Sequence, residues 1–169
     1  MHEGQTLPAL AFRRAAPADA DALWTILQAV LAAGDTYAWA PGTSRDEALA
    51  LWRPPGGHTV VAHADGRLVG TYLLKANQPG LGDHVANCGY MVAPEARGQG
   101  TGEALCRHSL DLARSLGFRA MQFNAVVSTN RGAIRLWERC GFVIVGTVPG
   151  AFRHPRHGEV AIHVMHRLL

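Results

Sequence analysis

Apolar positions along the chain recur with two different spacings, and the switches between them mark out the elements. Leu10 to Arg14 is a short apolar stretch ending in arginines and predicts a first strand. After Pro17-Ala18-Asp19, apolar residues fall at Leu23, Ile26, Leu27, Val30 and Leu31, the three-and-four spacing that lines one face of a helix. Gly34 stops that helix. Thr43-Ser44-Arg45-Asp46-Glu47 reads as the capped start of a second, shorter helix through Trp52, which Pro54-Pro55-Gly56-Gly57 ends. His58 to Ala64 and Arg67 to Leu74 are β-rich runs on either side of Asp65-Gly66, the signature of a hairpin.

The second half continues with strands and helices in alternation. Val85–Val92 predicts a buried strand, and Leu105, Ser109, Leu112, Ala113 and Leu116 form one face of a helix closed by Gly117. Arg119 to Val127 predicts another strand, and Asn130 to Arg139 a helix that Gly141 ends. Phe142–Val148 and Val160–Leu168 complete the chain as strands around the turn-rich PGAFRHPRHG. Hairpins at both ends and strand–helix alternation in the centre predict an α/β (α+β) fold on a mixed sheet. There is no internal repeat and no interdomain linker, so residues 1–169 are expected to form a single domain, with 1–9 as a flexible lead.

Composition narrows the class. With 48% hydrophobic and 17% charged residues in 169, the chain has the balance of a folded domain. No apolar run approaches the ~18 residues of a membrane span. The start MHEGQTLPAL lacks a basic and an apolar signal region, and Cys88, Cys106 and Cys140 share no CxxC spacing; both point to a cytoplasmic protein with reduced thiols. The net charge of +3 is uneven: residues 1–96 carry six basic and nine acidic side chains, residues 97–169 ten and four. The second half therefore suits an anion. Without a Lys/Arg cluster interleaved with aromatics, neither nucleic acid nor a membrane is an expected partner.

The stretch YMVAPEARGQGTGEALC, Tyr90 to Cys106, places Gly98, Gly100 and Gly102 between a strand and a helix. Glycines so close weaken a helix by roughly 1 kcal/mol each, so a tight turn or a close ligand is implied. A helix start offers unpaired N–H donors and a positive dipole end, an anion site. A Walker loop is excluded because no Gly-Lys-Ser/Thr follows, and a dinucleotide fingerprint fails at Glu103 or Leu105. Arg97-x-x-Gly100-x-Gly102 instead matches the Q/R-x-x-G-x-G/A pattern of the GCN5-related N-acetyltransferases. NRGAIRLWERCGF, Asn130 to Phe142, resembles that family's second signature, N-x-x-A-x-x-L-Y-x-x-x-G-F, and follows in the expected order.

The resemblance implies a mostly antiparallel six- to seven-stranded sheet, splayed between strands four and five and flanked by about four helices, with acetyl-coenzyme A in the gap. It assigns the pantetheine arm to the backbone of Tyr90, Met91 and Val92. The pyrophosphate falls to Arg97, Gly98, Gln99, Gly100, Thr101 and Gly102, and further cofactor contacts to Asn130, Ala133 and Trp137. Asn130 also suits a helix N-cap. The family commonly has tyrosine at position 137, taken to protonate the departing thiolate. Indole gives up no proton; a thiol of pKa ~8.5 leaving unprotonated at pH ~7 costs roughly 2 kcal/mol, which is tolerable.

The implied reaction is direct attack of a small primary or secondary amine on acetyl-coenzyme A in a ternary complex. An ammonium of pKa ~10 must first lose a proton, and no convincing carboxylate base is in sight. Asn87, near where some relatives place glutamate, and Asn124 in FNAV are the candidate catalytic positions; as amides they orient and do not act as bases. Asp35, Tyr37 and Trp39 of GDTYAW are expected to roof the acceptor, with Phe152 and Arg153 closing the other side and Arg153 suited to a carboxylate. GDTYAW and FNAVVSTN resemble segments from the branch that contains acetyltransferases for toxic proline analogues, which favours amino acids or their analogues. Two other readings stand beside it: a protein or peptide N-acetyltransferase, and a coenzyme A-binding sensor without catalysis. No metal is expected, because His154-x-x-His157 lacks further ligands. Dimers are frequent in the family, so the resemblance allows a homodimer, while the sequence itself does not fix the oligomeric state.

Overall fold

A computed structural model describes residues 9–169; the lead expected over residues 1–9 lies, except for Ala9, outside the described residues. Strands β1 (Ala11–Arg14), β2 (His58–Ala64), β3 (Arg67–Ala76), β4 (Val85–Val92), β5 (Ala120–Val127), β6 (Val143–His154) and β7 (Gly158–Leu168) form one sheet. Their order is β1-β2-β3-β4-β5-β7-β6, and every neighbouring pair is antiparallel except β4 with β5. Helices α1 (Ala20–Ala33), α2 (Arg45–Trp52), α3 (Thr101–Ser115) and α4 (Arg131–Arg139) flank it. This is the mixed, mostly antiparallel architecture that the sequence predicts.

The sheet separates two cores. On one face Leu23, Ile26, Leu27, Val30 and Leu31 are all buried with Trp52, Val61 and Met91, which accounts for the periodicity of α1. On the other, Leu105, Cys106, Leu110 and Ala113 of α3 pack on Tyr72, Leu74, Cys88, Met121 and Phe123. The polar groups inside are paired: the Trp52 indole donates to Thr71 Oγ1 at 3.0 Å, and the Thr71 hydroxyl donates to the Val60 carbonyl at 2.8 Å. Such pairing removes the penalty of a buried unsatisfied group, about 1–3 kcal/mol.

The C-terminal segment departs from expectation. PGAFRHPRHG was read as turn-rich, yet β6 runs through it to His154, pairing Phe152 with Val160 and Arg153 with Glu159. A register shift between Val148 and Phe152 absorbs Pro149 and Gly150, so breaker residues make a bulge inside an edge strand instead of ending it. β6 leaves Val143, Ile144, Val145 and Val148 exposed.

Candidate functional site

The parallel ladder between β4 and β5 is two residues long: Val85 pairs with Ala120 and Ala86 with Met121, and then the strands part. A local cause is visible. Had the ladder continued, the Gln122 carbonyl would accept from a backbone N–H of β4. It accepts instead from the side-chain amide of Asn87, at 3.0 Å. The Asn87 side chain thus caps the ladder and satisfies the group that the split would orphan.

Beyond that point the edge of β4 is open. The Asn77 N–H bonds the Val85 carbonyl and the Ala93 N–H bonds the Val69 carbonyl, so the odd-numbered residues of β4 turn their backbone groups toward β3. Tyr90 and Val92 turn theirs into the split. Met91 was expected to offer backbone groups there as well; its N–H and carbonyl point to the β3 ladder, and its buried side chain packs with α1. The parity of a strand permits only alternate residues to face one edge.

The split opens into a cleft of about 1140 Å³. At one end lies the turn into α3, where Gly98 and Gly100 take left-handed backbone with φ of 71° and 84°. The first helical donor is the Ala104 N–H, which bonds the Gly100 carbonyl at 3.0 Å, and no side chain caps the helix. The N–H groups of Thr101, Gly102 and Glu103 therefore have no partner within the helix. A Cβ on Gly98 would meet nothing within 4 Å, and one on Gly102 only Leu136 at 3.9 Å, so no packing contact demands these glycines. Donors plus open space fit a diphosphate. Arg97 and Gln99 complete the lining here, the latter tied to the Glu95 carbonyl at 2.8 Å.

Helix α4 forms the far wall. Asn130 caps it, its side-chain oxygen accepting from the Ala133 N–H at 3.2 Å, while Ala133 and Trp137 line the cleft. Trp137 packs in an aromatic group, 4.8 Å from the Tyr90 ring and 5.1 Å from Phe123. None of α4 is fully buried, because its inner face borders open space.

At the other end the segment between α1 and α2 roofs the space with Asp35, Tyr37 and Trp39. The Tyr37 ring lies 5.7 Å from Trp39 and 6.0 Å from Trp52, and its hydroxyl donates to the Tyr90 carbonyl at 3.2 Å. Gly89 permits this approach: a Cβ there would sit 2.7 Å from the Tyr37 oxygen. Asn87 and Asn124 also line the cleft. Asn124 sits in a bulge of β5, where the register with β7 slips between Phe123 and Val126, and its amide bridges Gln122 at 2.9 Å and Asn77 at 2.7 Å. Phe152 and Arg153 do not line this cleft: Phe152 is buried and Arg153 exposed, both on β6.

The titratable side chains set what chemistry is available. No histidine among the described residues borders the cleft. Burial pushes the thiol of Cys88, which borders the cleft, up to about 12, so it is protonated at neutral pH and is no thiolate nucleophile. Burial also raises the Tyr37 and Tyr90 phenols well above their ordinary range, and the Tyr90 hydroxyl is engaged with Ser109 at 2.7 Å. Glu103, Arg107 and Arg139 line the mouth of the cleft beside the start of α3 and were not singled out from the sequence; the spacing of Glu103 and Arg107 on one helix was the available signal. Among the described residues no three metal-ligating side chains converge, and no helix is long and apolar enough to cross a membrane.

Known proteins share this arrangement. A profile of the Acetyltransferase (GNAT) family matches residues 23–142. The N-acetyltransferase aca1 of Schizosaccharomyces pombe is 39% identical over 90 residues, which cover 53% of this chain and 43% of that protein. The chain spans under half the length of the curated relatives it matches. A GCN5-related N-acetyltransferase from Kribbella flavida superposes with a TM-score of 0.90 at 48% identity, covering 95% of this chain and 98% of that one. A phosphinothricin acetyltransferase from Sinorhizobium meliloti, solved in complex with AcCoA, shares the fold with a TM-score of 0.81 at 24% identity, covering 95% and 88%.

Proposed function

The chain belongs to the acetyltransferase (GNAT) family, and from that premise we propose that it transfers an acetyl group from acetyl-coenzyme A to the amine of a small molecule, an amino acid or analogue. One observation carries the reading. The open edge of β4 leads straight to the unpaired amides at the start of α3, a track that fits an extended arm ending in a diphosphate. Bound there, the coenzyme supplies an activated acetyl thioester. The Thr101, Gly102 and Glu103 amides hold its diphosphate, and the Tyr90 and Val92 backbone groups hold its amide-rich arm. Asn130, Ala133 and Trp137 wall it from α4.

The remaining residues position the acceptor and exclude water. Asn87 and Asn124 supply fixed amide groups that orient the amine at the thioester carbonyl. With the Cys88 thiol protonated, transfer is direct and involves no acyl-enzyme. The ammonium would give one proton to solvent before attack and a second as the C–S bond breaks; the departing thiolate would take its proton from solvent and not from a tyrosine acid, since position 137 is tryptophan and the Tyr90 hydroxyl is committed to Ser109. The roof formed by Tyr37 and Trp39 favours a compact acceptor over a peptide, and Asp35 offers a counter-charge to its ammonium. Buried, unbridged Cys88, Cys106 and Cys140 suit the reducing cytoplasm.

A thiol-release assay over a panel of amino acids, cyclic secondary amines, polyamines and peptide N-termini tests this. Turnover confined to small amines is the expected result. Preference for peptides would replace the acceptor class, and coenzyme binding without turnover on any amine would mean a sensor.

A further inference from the structure

We propose that Arg107 and Arg139, held side by side by Glu103 at the mouth of the cleft, bind the 3′-phosphate of coenzyme A and so distinguish the coenzyme from its dephosphorylated form. This rests on the coenzyme reading above. Arg107 reaches Glu103 Oε1 through Nε at 3.0 Å and Nη2 at 2.8 Å, and Arg139 Nη2 lies 3.6 Å from Oε2. The carboxylate thereby gathers a guanidinium from α3 and another from the last turn of α4. Its own side chain is 19% exposed, whereas the arginines are 55% and 57% exposed, so the acid lies beneath and the forks face out.

The placement fits the ligand. All three residues line the cleft, and Arg107 stands about 7.5 Å along the helix axis from Gly102, so one ribose beyond the diphosphate amides is within its reach. A lone carboxylate in the first turn of α3 would repel the phosphates; flanked by two arginines, it is part of a cluster with net positive charge. Each guanidinium carries five donors, and Glu103 engages only two of those on Arg107. Planar forks with free donors match a terminal phosphate, which accepts several charge-assisted hydrogen bonds. The other acid lining the cleft, Asp35, is at the acceptor end.

Calorimetric titration of wild type and of a Glu103→Gln/Arg107→Ala/Arg139→Ala variant, in which no uncompensated carboxylate is left beside the diphosphate, with coenzyme A and with 3′-dephospho-coenzyme A tests the site. Wild type is expected to bind coenzyme A roughly tenfold more tightly than the dephospho form. The variant is expected to bind both alike, with the dephospho affinity within about twofold of wild type. Equal affinity of wild type for the two ligands, or a variant that weakens both in parallel, would overturn the site while leaving the coenzyme reading intact. Failure of wild type to bind either ligand would overturn that reading, and this site with it.

Discussion

At the scale of single residues, Trp137, Asn87 and Asn124 all line the cleft. Trp137 sits where relatives commonly carry a tyrosine, and its ring is wedged between Tyr90 and Phe123. The thiolate leaves without a protein acid in this reading, so Trp137→Tyr should leave the chemical rate constant within about threefold in single-turnover experiments; a rise approaching thirtyfold, the full worth of about 2 kcal/mol for proton delivery at neutral pH, would reveal a missing acid. Asn124→Ala removes the amide held between Gln122 and Asn77. It should lower kcat by about 10- to 100-fold with a smaller change in KM, as for loss of an orienting hydrogen bond at a reacting centre. No histidine among the described residues borders the cleft, so log kcat/KM should climb steadily between pH ~6.5 and ~9 as the free amine (pKa ~10) accumulates. A plateau near pH ~7 would point to a protein base. Asn87 and Asn124 were visible in the sequence as amides inside apolar strands, which need partners; that Asn87 spends its N–H on the Gln122 carbonyl was not, since that partner is fixed only when β4 and β5 part.

Elements explain why the cleft has its shape. The roof between α1 and α2 comes down on β4 only because position 89 has no side chain. Gly89→Ala places a methyl against the Tyr37 hydroxyl and should break its bond to the Tyr90 carbonyl, raising the acceptor KM several-fold with the fold retained. Unchanged KM would detach the roof from acceptor binding. At the start of α1, Asp19 accepts two hydrogen bonds from Arg13 and one from the Ala16 N–H, tying β1 to the helix. Those bonds, with Arg13 first, hold its carboxyl at about 2, against an ordinary 3.8. A folded-state pKa below the unfolded one stabilises above pH ~4 and is lost as pH falls toward ~2. Asp19→Asn should therefore destabilise the fold at pH 7 by about 1–2 kcal/mol, read as a lower melting temperature, and the gap to wild type should narrow as pH falls toward ~2. The helices were legible from apolar spacing and glycine stops. The β6 bulge was not, because Pro149 and Gly150 read as a turn until a partner strand is present to pair around them.

For the molecule as a whole, one strand order produces a core on each face of the sheet and a gap between β4 and β5. The excess of arginine after residue 96 is gathered partly at the α3 end of the cleft, where Arg97, Arg107 and Arg139 line it. The sequence conveyed the family, the sheet type and the position of the split through two local signatures. It did not convey the Glu103 bridge between α3 and α4, because residues 103 and 139 meet only through packing. The central claim is that the free β4 edge and the first turn of α3 jointly hold the coenzyme. Amide hydrogen exchange with and without acetyl-coenzyme A tests it most directly. Exchange should slow at Tyr90, Val92 and Thr101 to Glu103, with β6 and β7 unchanged; saturating coenzyme that leaves those amides exchanging at their free rate would rule out this mode of binding.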